Sequence, residues 1–118
     1  MLKKALIVDD STVMRMMLKR ILRNNGYEIV GEADNGLTGL EKYQELNPDL
    51  VTMDITMPVM DGITALKEIL KINRGANVVM VSAMGQHWYV NEALEYGAKG
   101  FLIKPFEEEN VLKVLKAI

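Results

Sequence analysis

Cysteine is absent from this 118-residue chain, so disulfides and thiolate metal sites are excluded. Long apolar runs are absent too: a stretch such as Val78–Val81 falls far short of the ~20 residues that a membrane-crossing helix needs. Neither sign of charge dominates. Fourteen basic and sixteen acidic residues leave a formal net charge of −2 with no basic stripe, which gives no footprint for nucleic acid. No internal repeat, linker or low-complexity segment is visible. The opening Met1-Leu2-Lys3-Lys4 leads into a short apolar segment ending at paired aspartates rather than into a signal-peptide core, so a cytoplasmic protein is expected. What is present is an ordinary globular composition, 49% hydrophobic and 25% charged. One domain over residues 1–118 fits this length, and it can bury roughly two-thirds of the surface of its unfolded chain in one core.

Short apolar runs alternate with stretches of helical period. Ala5-Leu6-Ile7-Val8 stops at Asp9-Asp10, and Val13, Met14, Met17, Leu18, Ile21 and Leu22 then keep helical spacing until Asn25-Gly26. Tyr27 to Val30 reads as a second strand. Leu37, Leu40, Tyr43 and Leu46 follow on a helix closed by Pro48. Leu50-Val51-Thr52-Met53 is a third strand ending at Asp54, and Asp61 caps a helix carrying Ile63, Leu66, Ile69 and Leu70. Val78 to Val81 is a fourth strand ending at Ser82, followed by a helix with Val90, Ala93 and Leu94. Gly100 to Ile103 is a fifth, ending at Lys104-Pro105, and Val111, Leu112, Leu115 and Ile118 face the core from a last helix. Five strands each followed by a helix imply parallel strands joined by right-handed crossovers, a doubly wound α/β sandwich. The nearly all-apolar first, third and fourth strands suit positions covered on both faces, whereas Glu28 and Glu32 suit an edge for the second.

In such folds the sites form at the carboxyl ends of strands. Here those ends carry Asp9 and Asp10, Asp54, Ser82 and Lys104. Three carboxylates in one crevice repel each other unless a cation joins them. Oxygen ligands without His or Cys favour Mg²⁺ or Mn²⁺, and Lys104 supplies a second positive charge. A carboxylate held between a divalent cation and an ammonium group is set up to attack phosphorus. Ser82 could then hydrogen-bond the new phosphate and be drawn toward it.

These residues lie in LIVDD at Leu6–Asp10, MDITMP at Met53–Pro58 with Asp61-Gly62, VSAMG at Val81–Gly85, GAKGF at Gly97–Phe101 and KPF at Lys104–Phe106. Single motifs of this kind are weak, but all of them in order, each at a strand end, form a strong signal. The chain resembles the receiver domain of two-component response regulators over essentially its whole length. MRMML at Met14–Leu18, VTMDITMP at Val51–Pro58 and SAMGQ at Ser82–Gln86 resemble its chemotaxis members in particular. The resemblance implies a flavodoxin-like (βα)5 fold with strand order 2-1-3-4-5. It implies that Asp54 is the phosphoacceptor, that Asp10 ligates Mg²⁺ directly and Asp9 through water, and that the Thr56 carbonyl completes the metal site. It makes Ser82 the switch hydroxyl, Lys104 the phosphate-binding lysine and Phe101 the aromatic that changes rotamer, with a cis Lys104-Pro105 bond. Implied partners are a sensor histidine kinase and the flagellar motor switch, met by the face of the fourth helix, fifth strand and fifth helix, with a monomer as the expected state. The chain would be a signalling protein that catalyses only its own phosphorylation and dephosphorylation. Ser11-Thr12-Val13, Gly100 and His87-Trp88-Tyr89 depart from the family pattern, the first and third on partner surfaces.

Plainer readings compete at each position. Asp9 and Asp10 could be a helix cap with a solvated neighbour, Ser82 could cap the fourth helix, and Lys104 could be a surface lysine. Asp61 is assigned as a cap and His87 as a surface residue. Met14, Met17, Met53 and Met80 are read as core and Met16 as exposed, while Trp88 and Tyr89 are read equally as packing or as a contact surface. Within the family, a phosphorelay intermediate or a receiver cut from a longer regulator is the alternative. A haloacid-dehalogenase-type phosphatase would need a second carboxylate where Thr56 stands, and an FMN carrier would not place Asp9-Asp10 against a phosphate.

Overall fold

The apolar alternation within each strand is what divides the core into two layers. In the computed structural model, which describes residues 2–118, the elements run β1 (Lys3–Val8), α1 (Thr12–Arg23), β2 (Tyr27–Ala33), α2 (Gly36–Leu46) and β3 (Leu50–Asp54). They continue with α3 (Gly62–Ile72), β4 (Val78–Ser82), α4 (His87–Tyr96), β5 (Gly100–Ile103) and α5 (Glu108–Lys116). All strand pairs are parallel, and the order is β2-β1-β3-β4-β5. Leu6 and Val8 of β1, Val51 and Met53 of β3, and Val78 and Met80 of β4 pack into one cluster with α2, α3 and α4. Their neighbours Ala5, Ile7, Leu50, Val79 and Val81 point the other way and pack with α1 and α5. Side chains of a strand alternate between faces, so a strand covered on both must be apolar throughout. β2, at the edge, is only half-buried.

Side-chain caps set where three helices begin. Ser11, Asn35 and Asp61 accept the backbone N–H of Met14, Thr38 and Thr64, which satisfies donors that the first helical turn cannot. The Ser11 cap leaves Asp9 and Asp10 ahead of α1, free of any capping duty.

Several expectations shift. Val13 is 76% exposed, because it stands about 100° round α1 from Met14 and so beside the buried stripe rather than in it. Leu37, Leu94 and Ile118 are also exposed, and Val114 packs against the core where Ile118 does not. β2 extends past Val30 to Ala33 because a register shift between Ala5 and Leu6 lets β1 keep pairing as far as Val8 with Ala33. α2 ends one residue before Pro48's neighbour, with Asn47 in the left-handed region at φ 48°.

Candidate functional site

Because every strand is parallel, the carboxyl ends of β1, β3, β4 and β5 share one rim. Asp9 follows β1, Asp54 ends β3, Ser82 ends β4 and Lys104 follows β5. The structure brings Asp9, Asp10, Asp54 and Lys104 together. One oxygen from each aspartate lies within 4.8 Å of the others. Lys104 Nζ reaches both buried carboxylates, 3.2 Å from Asp9 Oδ2 and 3.4 Å from Asp54 Oδ1. Asp10 stands exposed at the mouth.

Backbone contacts fix the two buried carboxylates. The Asp9 N–H donates to the Ala33 carbonyl at 2.9 Å, and Asp9 Oδ1 accepts the Ser11 N–H at 2.8 Å. Arg15 holds the Asp9 carbonyl through Nη1 at 2.6 Å while its Nε pairs with Glu32 at 3.1 Å. Lys19 also pairs with Glu32, and hydrogen bonding from Lys19 in the first place lowers that carboxyl's pKa. Asp54 Oδ1 accepts the Ile55 N–H at 3.0 Å. Behind it the start of α3 docks on the end of β3: the Gly62 N–H donates to the Ile55 carbonyl at 2.7 Å. A Cβ on Gly62 would fall 1.8 Å from the Asp54 carbonyl oxygen, so only glycine permits this approach.

Electrostatics follow from this packing. Burial is the main cause that raises the Asp54 carboxyl from 3.8 to about 6, and repulsion from Asp9 adds to it. Lys104 and the Ile55 N–H pull the other way, and Asp10 contributes a smaller push upward. Asp9 Oδ2 is buried with an ion-pair neighbour in Lys104 but no hydrogen-bond donor. A buried oxygen without a donor, in a set of donors that are all oxygen, fits a hard divalent cation. Asp9, Asp10 and Asp54 could hold one.

The remaining expected residues fall around this centre. Ser82 is buried at the end of β4, where its carbonyl accepts the Lys104 N–H at 2.8 Å. It does not cap α4, whose N-cap is Gln86. Thr56 is exposed, two residues past Asp54, and Phe101 is half-exposed on β5. The Lys104-Pro105 peptide is cis. Sequence reasoning missed Gly62, Arg15 and Gln86. Gln86 accepts the Ala83 N–H at 2.7 Å and donates to Thr56 Oγ1 at 2.8 Å, joining the loops after β4 and β3. Only the motifs containing these residues marked them; nothing in their type announced a role.

A family model described as "Response regulator receiver domain" matches residues 5–116. The chain belongs to that family. Among characterised relatives, the chemotaxis protein CheY of Bacillus subtilis (strain 168) is 56% identical over 115 residues, covering 98% of this chain and 96% of the relative. CheY of Thermotoga maritima is 54% identical over 116 residues, covering 98% and 97%. Among solved structures, CheY from Borrelia burgdorferi in a CheX-CheY-BeF3-Mg+2 complex superposes with a TM-score of 0.92 at 39% identity, covering 98% of this chain and 87% of that one. The chain is thus a receiver of the CheY type, a two-component response regulator. The strand order and the five-helix arrangement agree with what the resemblance implied.

Proposed function

We propose that this receiver, one domain over residues 1–118, is a cytoplasmic chemotaxis switch loaded by phosphorylation of Asp54. The observation that carries the proposal is Lys104 Nζ lying between the buried carboxylates of Asp9 and Asp54 at the sheet rim. A carboxyl raised to about 6 is ionised at neutral pH, so Asp54 is a nucleophile there. In the transfer, an Asp54 oxygen bonds to phosphorus and the bond to the donor's leaving group breaks. That leaving group is an imidazole nitrogen from a histidine kinase, or an acyl oxygen from acetyl phosphate. Lys104 offsets the charge of the incoming phosphoryl oxygens, and Asp9 and Asp54 orient around it. Mg²⁺, held by Asp9, Asp10, Asp54 and the Thr56 carbonyl, would supply the remaining positive charge. The similar Borrelia protein was solved with BeF3 and Mg+2, which supports Mg²⁺ as the cation.

Ser82, buried at the rim, is the hydroxyl that meets the phosphate, and Phe101 is the aromatic whose rotamer follows it. The face made by α4, β5 and α5 then changes and binds a protein partner, the flagellar motor switch. Trp88, Tyr89 and Tyr96 are exposed on α4, ready for such a contact. The protein acts as a monomer and catalyses only its own phosphorylation and dephosphorylation.

Intact-mass analysis after acetyl phosphate and Mg²⁺ tests the first half. Wild type should gain one labile phosphate and Asp54→Ala none; a phosphate on the mutant, or none on wild type, would sink the proposal. Binding of a motor-switch peptide tests the second half, and binding that ignores beryllofluoride would count against it.

A further inference from the structure

We infer that Gln86 is a positioning residue that transmits the state of the acidic pocket to the start of α4, through its paired hydrogen bonds to Ala83 and Thr56. The inference rests on the proposed phosphorylation switch and adds a route by which that switch reaches its output face.

One side chain bonds to two loops and belongs to a helix. Gln86 Oε1 accepts the N–H of Ala83, the residue after Ser82, and Gln86 Nε2 donates to the hydroxyl of Thr56, two residues after Asp54. Its backbone carbonyl meanwhile accepts the N–H groups of Tyr89 and Val90, which are 3.0 and 3.1 Å away in the first turn of α4. Gln86 itself is the N-cap of α4 and makes no side-chain cap, because its amide is already engaged by the loops. Other helices use that position differently: Ser11, Asn35 and Asp61 spend their side chains on their own helices.

The mechanical consequence follows from bond lengths. A shift of Ser82 or Asp54 by a fraction of an ångström moves Ala83 N or Thr56 Oγ1, and a hydrogen bond weakens steeply with such changes. Gln86 must follow or lose the bond. Since its carbonyl anchors the first turn of α4, following means that residues 87–90 move as well. The turn between them bends at Gly85, whose φ of 89° is open to glycine without strain. Without the Gln86 amide, that turn has no side-chain bond to Thr56, and the pocket and α4 can move independently.

The experiment separates filling of the pocket from the response of the helix. Beryllofluoride with Mg²⁺ is added to wild type, Gln86→Ala, Thr56→Val and Thr56→Ser. Fluorine NMR reports bound beryllofluoride, and proton–nitrogen spectra report the amides of Trp88, Tyr89 and Val90. Wild type should show bound probe and shifted α4 amides, and Thr56→Ser, which keeps an acceptor hydroxyl, should show the same α4 shift once its pocket is saturated with probe. Gln86→Ala should still bind the probe but lose most of the α4 shift. Thr56→Val, read at a probe concentration that saturates its own pocket, should lose the same α4 shift, and the double variant should lose no more than either single one. A full α4 shift in Gln86→Ala, a loss in Thr56→Ser equal to that in Thr56→Val, or additive losses in the double variant would overturn the inference. An unchanged thermal unfolding midpoint in Gln86→Ala would assign its effect to transmission, whereas loss of the folded spectrum in that variant would make Gln86 a structural residue and overturn it too. If wild type binds no beryllofluoride, the phosphorylation switch fails and the link falls with it; if wild type binds and responds but Gln86→Ala matches it, only the link fails.

Discussion

At the scale of single residues, the pocket is costly to the protein that contains it. Asp54 has an ordinary carboxyl value of 3.8 when unfolded and about 6 when folded, chiefly from burial. Below the lower value both states hold the proton and nothing is lost. Between the two, the folded chain keeps a proton that the unfolded chain has released, so stability falls as pH rises. Above about 6 the whole cost is present, about 3 kcal/mol by proton linkage. Asp54→Asn in chelator should therefore be more stable than wild type, with a gap that widens between pH 4 and pH 7 in urea titrations. A gap that stays flat or narrows would mean that the carboxylate is not strained by its burial. Thr52 carries a second local cost, a buried hydroxyl with no hydrogen-bond partner. Thr52→Val keeps the branched shape and removes the orphan, so it should raise stability by about 1 kcal/mol in the same assay.

At the scale of elements, the loop from β3 to α3 is the most tightly constrained segment. Gly62→Ala would drive a methyl into the Asp54 carbonyl, and overpacking against backbone should cost about 3 kcal/mol or more and weaken Mg²⁺ binding together. An equal-to-wild-type melting curve would refute this. In the same loop Val59 holds φ at 70°, a left-handed conformation that costs a branched residue about 1–2 kcal/mol, of which glycine's extra unfolded freedom takes back part. Val59→Gly should gain about 0.5–1 kcal/mol, read as a higher urea midpoint at unchanged slope. Strain of this kind could not be read from the chain, since Val59 looks like any apolar loop residue. The strands could be read, because two-sided burial forces continuous apolar runs; β5 was bounded at Gly100 and Ile103, as found. Asp61 was legible as a cap because its side chain closes a local ring with Thr64. Val13, Leu37, Leu94 and Ile118 were misplaced because helical period alone does not say where the buried stripe is centred. The acidic centre was legible because charge repulsion gives it a signature at strand ends, whereas Gly62 works through a close backbone approach, and Arg15 and Gln86 through side-chain bonds to residues distant in sequence, none of which leaves a signature.

At the scale of the whole molecule, the two core layers meet at a sheet whose rim is held apart by like charge. A divalent cation that binds only the folded form must therefore stabilise the entire domain. At a hundredfold excess over its dissociation constant the gain is about 2.7 kcal/mol, equivalent to roughly 10 °C in melting temperature for a chain of this size. Calorimetry in MgCl2 against KCl of equal ionic strength should show that rise in wild type and a smaller one in Asp10→Asn. Equal responses in the two would remove Asp10 from the proposed metal site.

The Lys104–Asp54 contact joins residues 50 positions apart, and the Lys104–Asp9 pair spans almost the entire chain. No fragment emerging from a ribosome can own this pocket: until the last strand has left the exit tunnel and slotted beside its neighbour, the acids have no ammonium partner. Under the proposed function, a phosphoryl donor meeting a half-made copy would find nothing competent to load, so signalling is confined to finished molecules by the order in which the chain is synthesised.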